Sequence, residues 1–342
     1  MEHDTHDAAF AEQVNQTTVR CRLCPHGCVL REGKRGICLT RGNDAGRLVT
    51  YNYSRPVSID IDPIEKKPLY HYRPGAMALS MGPNGCTLRC EFCQNSEISQ
   101  CIQPAKYLPY DGLVDAAVRK GTQVIAFTYS EPMIWFETIM ALAPAASKRC
   151  LSNVMVTNGY IEPKPLRELL RVVDALNIDI KSMNPRFYHR FCKGRLAPVL
   201  RACEQTLAAG RHLEVTSLLV PGENDSAAEL RDLTHFVAEH LGRNTPLHIT
   251  RYFPSHHLTH DPTPTESLNR AYEIARERLD FVYVGNVPVN ARSDTLCPKC
   301  GELLVSRRGY SAIVHHTCKK LGEAGSECKE CGTMVNVIQR TI

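Results

Sequence analysis

The amino-acid sequence predicts an α/β protein, a partial (β/α)6 TIM-like barrel with a small cysteine-rich module at each end. Three observations carry that expectation. Short apolar runs alternate with amphipathic stretches through the middle of the chain. Sixteen cysteines occur in 342 residues, and eleven of them gather in three tight groups. One group lies near each end, and the third follows directly on the first apolar run of the alternating region. A content of 43% hydrophobic and 23% charged residues supports a packed core rather than disorder. The net charge of +5 is small for this length and argues neither for nor against nucleic acid, which is not expected as a partner; it reads as a solvated mixed surface.

Residues 1–16 are polar and read as a flexible N-terminus. The start MEHDTHDAAF lacks the basic and apolar parts of a signal peptide. No apolar run approaches the roughly 18 residues of a membrane span. A cytoplasmic protein with no membrane partner is the expectation. In a reducing compartment, clustered cysteines point to metal rather than disulfides. Residues 17–75 form a cysteine-rich module and lead-in, with Cys21, Cys24, Cys28 and Cys38 supplying four thiolates. Four ligands suit a closed zinc shell and a second iron–sulfur cluster equally well.

The barrel is expected over 76–290. Its strands are read at 78–81, 124–129, 153–157, 176–180, 213–220, 247–252 and 281–284. Amphipathic helices fall between them, near 111–120, 133–148, 165–173, 198–209, 227–241 and 266–279. Regular strand–helix alternation means a parallel sheet with crossover helices. Six or seven units, rather than eight, make the barrel incomplete. Residues 291–342 close the chain as a zinc-ribbon-like module. Its knuckles Cys297-Pro-Lys-Cys300 and Cys328-Lys-Glu-Cys331 are each followed by a glycine, Gly301 and Gly332, suited to a tight turn. The scattered Cys101, Cys150, Cys192, Cys203 and Cys318 read as small buried hydrophobes, and His315 and His316 stay unassigned.

The central loop, Gly82-Pro-Asn-Gly-Cys86-Thr-Leu-Arg-Cys90-Glu-Phe-Cys93-Gln-Asn95, leaves the first strand at the face where barrel active sites collect. Cys86, Cys90 and Cys93 can grip one face of a 4Fe–4S cube. No fourth cysteine completes the loop, so one iron stays open; Cys101 is the nearest and lies beyond a tight loop. Structural zinc would favour two Cys-x-x-Cys hairpins and a closed shell.

CxxxCxxC with Phe92 before its last cysteine resembles the radical S-adenosylmethionine (SAM) superfamily. More closely, IDPIEKKPLYHYRPG (61–75), GCTLRCEFCQN, TYSEP, VTNGY, NIDIK, LLVPGENDS and YVGNVP resemble the AmmeMemoRadiSam-system radical SAM proteins, relatives of the pyruvate formate-lyase activating enzymes. The resemblance spans about residues 20–335. It implies the radical SAM type of barrel, a 4Fe–4S cluster and S-adenosyl-L-methionine, with Phe92 beside the cofactors. It also implies that Ser130 and Glu131 match the segment holding the SAM amino group, while Tyr129 departs from it. Thr157 and Asp179 match SAM-holding positions at strand ends, with Asn158 beside them, but Val156 stands where an aspartate of a cation site would be. Lys181 is read as a contact to the SAM carboxylate or a partner of Asp179.

Ser130 has a simpler reading as the cap of a proline-started helix. Arg251, Tyr252 and His256 are candidate substrate contacts. His256, His257 and His260 favour substrate or solvent over metal. The expected activity is reductive cleavage of SAM to a 5′-deoxyadenosyl radical that takes hydrogen from a substrate. A flavodoxin- or ferredoxin-type protein would supply the electron. The substrate is a small molecule or a partner of the AmmeMemo system. One alternative is activation of a glycyl-radical enzyme as partner protein; a remote one is a metal-stapled scaffold or nucleic-acid-binding ribbon protein.

Overall fold

The computed structural model describes residues 5–288, 291–320 and 325–339. Residues 1–4 of the expected flexible terminus, the end of the barrel segment at 289–290, and 321–324 and 340–342 of the C-terminal module lie outside the described residues. The centre is one eight-stranded sheet. Its strands are β1 (Ser58–Pro63), β2 (Met77–Gly82), β3 (Val124–Phe127), β4 (Ser152–Thr157), β5 (Ala175–Asp179), β6 (His212–Leu219), β7 (Leu247–Arg251) and β8 (Val282–Gly285). Strands β2 to β8 run parallel in chain order. The end strands β1 and β8 do not pair with each other, so the barrel stays open.

Each crossover carries one main helix, some with a short helical turn beside it: α1 (Tyr110–Arg119), α2 (Phe136–Lys148), α3 (Pro163–Leu169), α4 (Leu196–Ala208), α5 (Ala227–Phe236) and α6 (Thr265–Arg276). Six β/α units and a closing strand are therefore present, as the alternation predicts. Continuous burial of Val-Ile-Ala-Phe in β3 is what a parallel strand covered on both faces requires. The helices bury single stripes; α1 turns Leu113, Val114 and Ala117 inward. Ser226 caps α5 by accepting a hydrogen bond from the Glu229 amide at 3.2 Å.

Two expectations are corrected. Ser58–Pro63, placed by sequence in the N-terminal lead-in, belongs to the barrel sheet and pairs antiparallel with Met77–Gly82. Residues 5–16 are not simply loose. His6–Asp7 pairs with the strand Arg47–Thr50, and Ala11–Asn15 with Thr18–Cys21. All five side chains of Ala11–Asn15 are exposed, so backbone pairing rather than apolar burial orders them.

The two end modules sit at opposite ends of the barrel. The N-terminal one packs on the loop after β2, described below. The C-terminal one is built from two three-stranded sheets and covers the N-terminal ends of the strands. Its Leu304, Val305, Val335 and Val337 share a buried cluster with Tyr70, Phe281 and Tyr283. Arg307 is fully buried there; its guanidinium donates to Tyr70 O at 2.5 Å, and to Ser293 O and Thr295 Oγ1 at 2.9 Å.

Candidate functional site

The loop after β2 is held in shape by its neighbours. Gly85 has φ +92°, and a Cβ there would meet Cys38 O at 2.3 Å. Only glycine fits, both for conformation and for space. The loop places Cys90 in the interior and leaves Cys86 and Cys93 half-buried. Each of the outer two sulfurs has hydrogen-bonding neighbours. The Leu88 amide donates to Cys86 Sγ at 3.3 Å, and Asn158 Nδ2 donates to it at 3.4 Å. Ser99 Oγ lies 3.2 Å from Cys93 Sγ. Burial pushes the Cys86 and Cys93 thiols up, so a metal must displace their protons on binding. The Cys90 thiol is pushed up first by a hydrogen bond with Cys192 and then by burial.

Donors aimed at sulfur are what a thiolate-held cluster needs, because such bonds help set its potential. The three thiols do not close to the compact span of a zinc shell. The single group among the described residues whose ligand atoms all lie within 4.8 Å of one another is in the C-terminal module. Three thiols on one loop, with donors at two of the sulfurs, are a donor set suited to a thiolate-held cluster.

The strand ends surround this loop. Glu131, after β3, is buried and accepts three hydrogen bonds: from Met133 N at 2.9 Å, Thr157 Oγ1 at 2.6 Å and Asn158 N at 2.9 Å. Burial pushes its carboxyl up to about 7, against the pull of those donors. Glu131 thus ties β3 to β4 and is itself the cap of the short 3₁₀ helix Pro132–Trp135. That corrects the reading of Ser130 as cap: its hydroxyl donates to Pro83 O at 2.5 Å. Asn158 links Cys86 to Thr87 Oγ1, 3.1 Å from Nδ2, and accepts from Tyr160 N at 2.8 Å. Lys181 Nζ lies 3.0 Å from Asp179 Oδ2 and 5.9 Å from the ring centre of the buried Phe92. Burial works against the Lys181 charge, but Asp179 and the nearby thiols leave its pKa raised overall.

The loop after β7 also reaches the cysteine loop. The His257 and Leu258 amides donate to Glu91 O at 2.8 and 3.0 Å, and Ser255 Oγ donates to Cys93 O at 3.1 Å. Arg251 Nε donates to Thr263 O at 2.9 Å. Tyr252 is completely buried and donates to Leu258 O at 2.7 Å, which leaves it no face for a substrate. His256 is exposed with φ +57°, and its ring lies tilted against that of His257, with ring centres 3.6 Å apart.

Among the flanking groups, Cys297 and Cys331 sulfurs lie 3.5 Å apart, and those of Cys300 and Cys328 3.7 Å apart. Gly301 and Gly332 take φ of +78° and +70° and donate to Cys297 O and Cys328 O, forming the anticipated knuckles. Cys318 stands apart with Gln339, and His315 pairs with Ser306. Cys21, Cys24, Cys28 and Cys38 instead line one small apolar pocket together with Leu23, Leu30 and Arg41. Of the scattered cysteines, Cys192, Cys203 and Cys318 are buried as anticipated, whereas Cys101 and Cys150 are exposed.

Several site residues carry no sequence signal. Cys192, on the turn Tyr188–Cys192, meets Cys90, and its carbonyl accepts from Arg89 N at 2.9 Å. Asp62 on β1 is held by Lys66 at 2.7 Å, Lys67 at 2.6 Å and the Tyr129 hydroxyl at 2.7 Å. Burial opposes its charge, yet these three donors hold its carboxyl well below the usual carboxylate range. The spacing of 67 residues between Asp62 and Tyr129 hides the pair from any local motif.

Fold and site together define an open (β/α) barrel with a three-cysteine loop at its mouth. Residues 82–234 match the model of the Radical SAM superfamily. An uncharacterized protein of Methanocaldococcus jannaschii is 41% identical over 97% of this chain and 99% of its own length. A GTP 3′,8-cyclase of Geobacter sulfurreducens is 26% identical over 50% of this chain and 53% of its own. Among solved structures, a radical SAM methyltransferase from Sphaerobacter thermophilus superposes with a TM-score of 0.51 at 15% identity, over 87% of this chain and 81% of that one. The chain belongs to the radical SAM superfamily and is an enzyme of it. Membership implies SAM and a 4Fe–4S cluster as cofactors. No helix among the described residues is long and apolar enough to cross a membrane.

Proposed function

We propose that Cys86, Cys90 and Cys93 hold three irons of a 4Fe–4S cluster, and that SAM chelates the fourth. The observation carrying this is the loop itself: three thiols from one short segment, with hydrogen-bond donors aimed at two of them. When bound, cluster and SAM supply one-electron cleavage of the sulfonium bond and a 5′-deoxyadenosyl radical that takes hydrogen from a substrate.

The protein's own contribution is position and potential. Asn158 and the Leu88 amide stabilise negative charge on Cys86, and Ser99 does the same for Cys93. Glu131 and Ser130 form the wall for the SAM amino group, with Thr157 and Asn158 fixing the Glu131 carboxylate. Lys181, aligned by Asp179, faces the SAM carboxylate. Phe92 packs against Phe187, with ring centres 5.7 Å apart, and walls off the cluster from water. Arg251 and His256 are the substrate-side residues of this reading. The C-terminal module holds zinc: a Zn–S bond of about 2.3 Å sets tetrahedral sulfur edges of about 3.8 Å, near the 3.5 and 3.7 Å separations present. The electron comes from a flavodoxin- or ferredoxin-type donor, and the substrate is a small molecule or protein of the AmmeMemo system.

The test is anaerobic reconstitution with iron and sulfide, then dithionite and SAM. Formation of 5′-deoxyadenosine is expected, and Cys86→Ala, Cys90→Ala and Cys93→Ala each abolish it. Cys192→Ala retains it, since Cys192 is a neighbour and not a ligand. A fully loaded protein that yields none, or an active Cys93→Ala variant, overturns the proposal. Adding candidate glycyl-radical proteins and finding a glycyl signal by electron paramagnetic resonance would move the substrate to a partner enzyme.

A further inference from the structure

We infer that the outer face of the segment 184–195 is the docking surface for a small acidic protein that carries single electrons. The chain nets only +5 over 342 residues, yet these twelve contain Arg186, Arg190, Lys193 and Arg195 and no acid. All four, and His189 between them, are exposed. Two are partly compensated: the Arg190 guanidinium lies 3.8 Å from Glu223, and Lys193 Nζ 2.9 Å from Glu91. Arg186 and Arg195 have no carboxylate within ion-pair reach among the described residues; Arg195 instead donates to Pro25 O at 3.1 Å. Charge of one sign gathered on a surface attracts and orients a partner of the other sign.

The place of this face decides what its partner does. The segment is the outer wall of the cysteine loop. The Glu91 amide donates to Phe191 O and the Arg89 amide to Cys192 O, both at 2.9 Å. Cys192 hydrogen-bonds Cys90. The ring centres of Phe191 and Phe187 lie 5.0 Å apart, and Phe187 leads on to Phe92 at 5.7 Å. A protein seated on Arg190 and Lys193 is therefore separated from Cys90 only by the turn that carries Cys192. Electron transfer slows steeply with distance, so this is a face from which a carrier can exchange electrons with the group the central cysteines hold.

The shape of the face argues for a protein partner. Two open hollows, of about 570 and 610 Å³, meet here and share His189 and Arg190. A small ligand prefers an enclosed pocket. Nucleic acid would want exposed rings on which its bases stack, but Phe187, Tyr188 and Phe191 are all buried. Exposed charge without an apolar centre gives a brief, salt-sensitive encounter of the kind redox partners make. In the exchange one electron leaves the carrier, which is oxidised, and enters the cluster, which is reduced; no bond forms or breaks. That destination rests on the SAM-cleaving reading, whereas the charged face does not.

The test uses the reconstituted full chain and two probes, an acidic flavodoxin and an acidic 2Fe–2S ferredoxin. Binding is measured by isothermal titration calorimetry without SAM, at low and high salt. Electron exchange is followed by stopped flow, from the reduced cluster to the oxidised probe. Arg186→Glu with Arg190→Glu should weaken binding and slow the exchange by about tenfold or more for at least one probe. Arg119→Glu with Lys120→Glu should change neither, since those residues precede β3 at the opposite end of the barrel. Because charge reversal could disturb the turn, Arg186→Gln is measured as well and should show a smaller loss in the same direction at an unchanged iron content. Equal behaviour of the two double variants, or no salt-sensitive binding of either probe to the unsubstituted chain, overturns the inference. A single-stranded oligonucleotide that binds through Arg186 and Arg190 when neither probe does assigns the face to nucleic acid and also overturns it. Formation of 5′-deoxyadenosine with dithionite is read separately. If it forms while both double variants bind the probes alike, the docking inference fails and the SAM-cleaving reading stands. If none forms but binding still follows Arg186 and Arg190, the reverse holds.

Discussion

Replacing Asn158 tests how the protein tunes its central thiolates. Asn158 Nδ2 lies 3.4 Å from Cys86 Sγ and is one of two donors to that sulfur, the other being the Leu88 amide at 3.3 Å. Reduction adds negative charge to the cluster and its sulfurs, so a donor bonds the reduced form more strongly and raises the potential. A hydrogen bond to a charged group is worth about 1.5–3 kcal/mol. If about one third of that is gained on reduction, roughly 0.5–1 kcal/mol is at stake, or about 20–40 mV for a one-electron couple. Asn158→Ala should lower the midpoint potential by that amount in an anaerobic redox titration followed by electron paramagnetic resonance. Thr87→Val supplies the control, because it removes the other side-chain partner of Asn158 without touching a sulfur. A loaded Asn158→Ala protein with an unchanged potential, or an equal drop in Thr87→Val, refutes the reasoning.

Other outcomes follow from the same geometry. Glu131 is raised from 4.5 to about 7, so the stability it contributes is fully present below pH 4.5 and lost as pH rises through 7. In metal-free protein, urea unfolding at pH 5 and 8 should show up to about 3 kcal/mol of this loss; an equal loss in Glu131→Gln would refute it. Gly85→Ala would push a methyl to within 2.3 Å of Cys38 O at φ +92°, a strain of about 1–3 kcal/mol. Hydrogen exchange at 38–40 should rise, and an unchanged rate would show that the two loops are not coupled. Arg307→Leu leaves Tyr70 O and Ser293 O without this donor, at about 1–3 kcal/mol each. Proteolysis within the C-terminal module should accelerate while the four-cysteine group keeps its capacity to bind metal; an unaltered cleavage pattern counts against the anchoring role.

The barrel was legible because each parallel strand is buried on both faces and each crossover helix buries one stripe. The sequence periods therefore change at every boundary, from Val124–Phe127 to Val282–Gly285. The edge strand Ser58–Pro63 was missed for a physical reason: it alternates Asp60 and Asp62 with isoleucines, and Ile59 faces solvent. Ala11–Asn15 is held by backbone pairing alone, which side-chain patterns do not report. In the site, the cysteine groups were readable from spacing. The approach of Cys192 to Cys90 and of Tyr129 to Asp62 was not, since those pairs form only when the barrel brings distant strand ends together. The Glu131 cap was concealed because Ser130 is the better capping residue by type.

A polar knot beneath the sheet shows the same limit. Glu214 is wholly buried on β6, accepts from the Tyr70 and His71 amides at 3.0 and 2.7 Å, and meets His212 and His248 at 3.0 and 2.6 Å. Within the run His212–Leu219 it looks like one charge in an apolar strand.

That floor has a consequence for biosynthesis. When a nascent chain has emerged as far as Gly285, all seven parallel strands exist, but Tyr70, Phe281 and Tyr283 still await Leu304, Val305, Val335 and Val337. Until those later residues emerge the aromatic underside is unsealed, so the newborn barrel passes through a sticky stage that chaperones would recognise. Truncating the tail should therefore send the product to inclusion bodies rather than leave a soluble, shortened barrel.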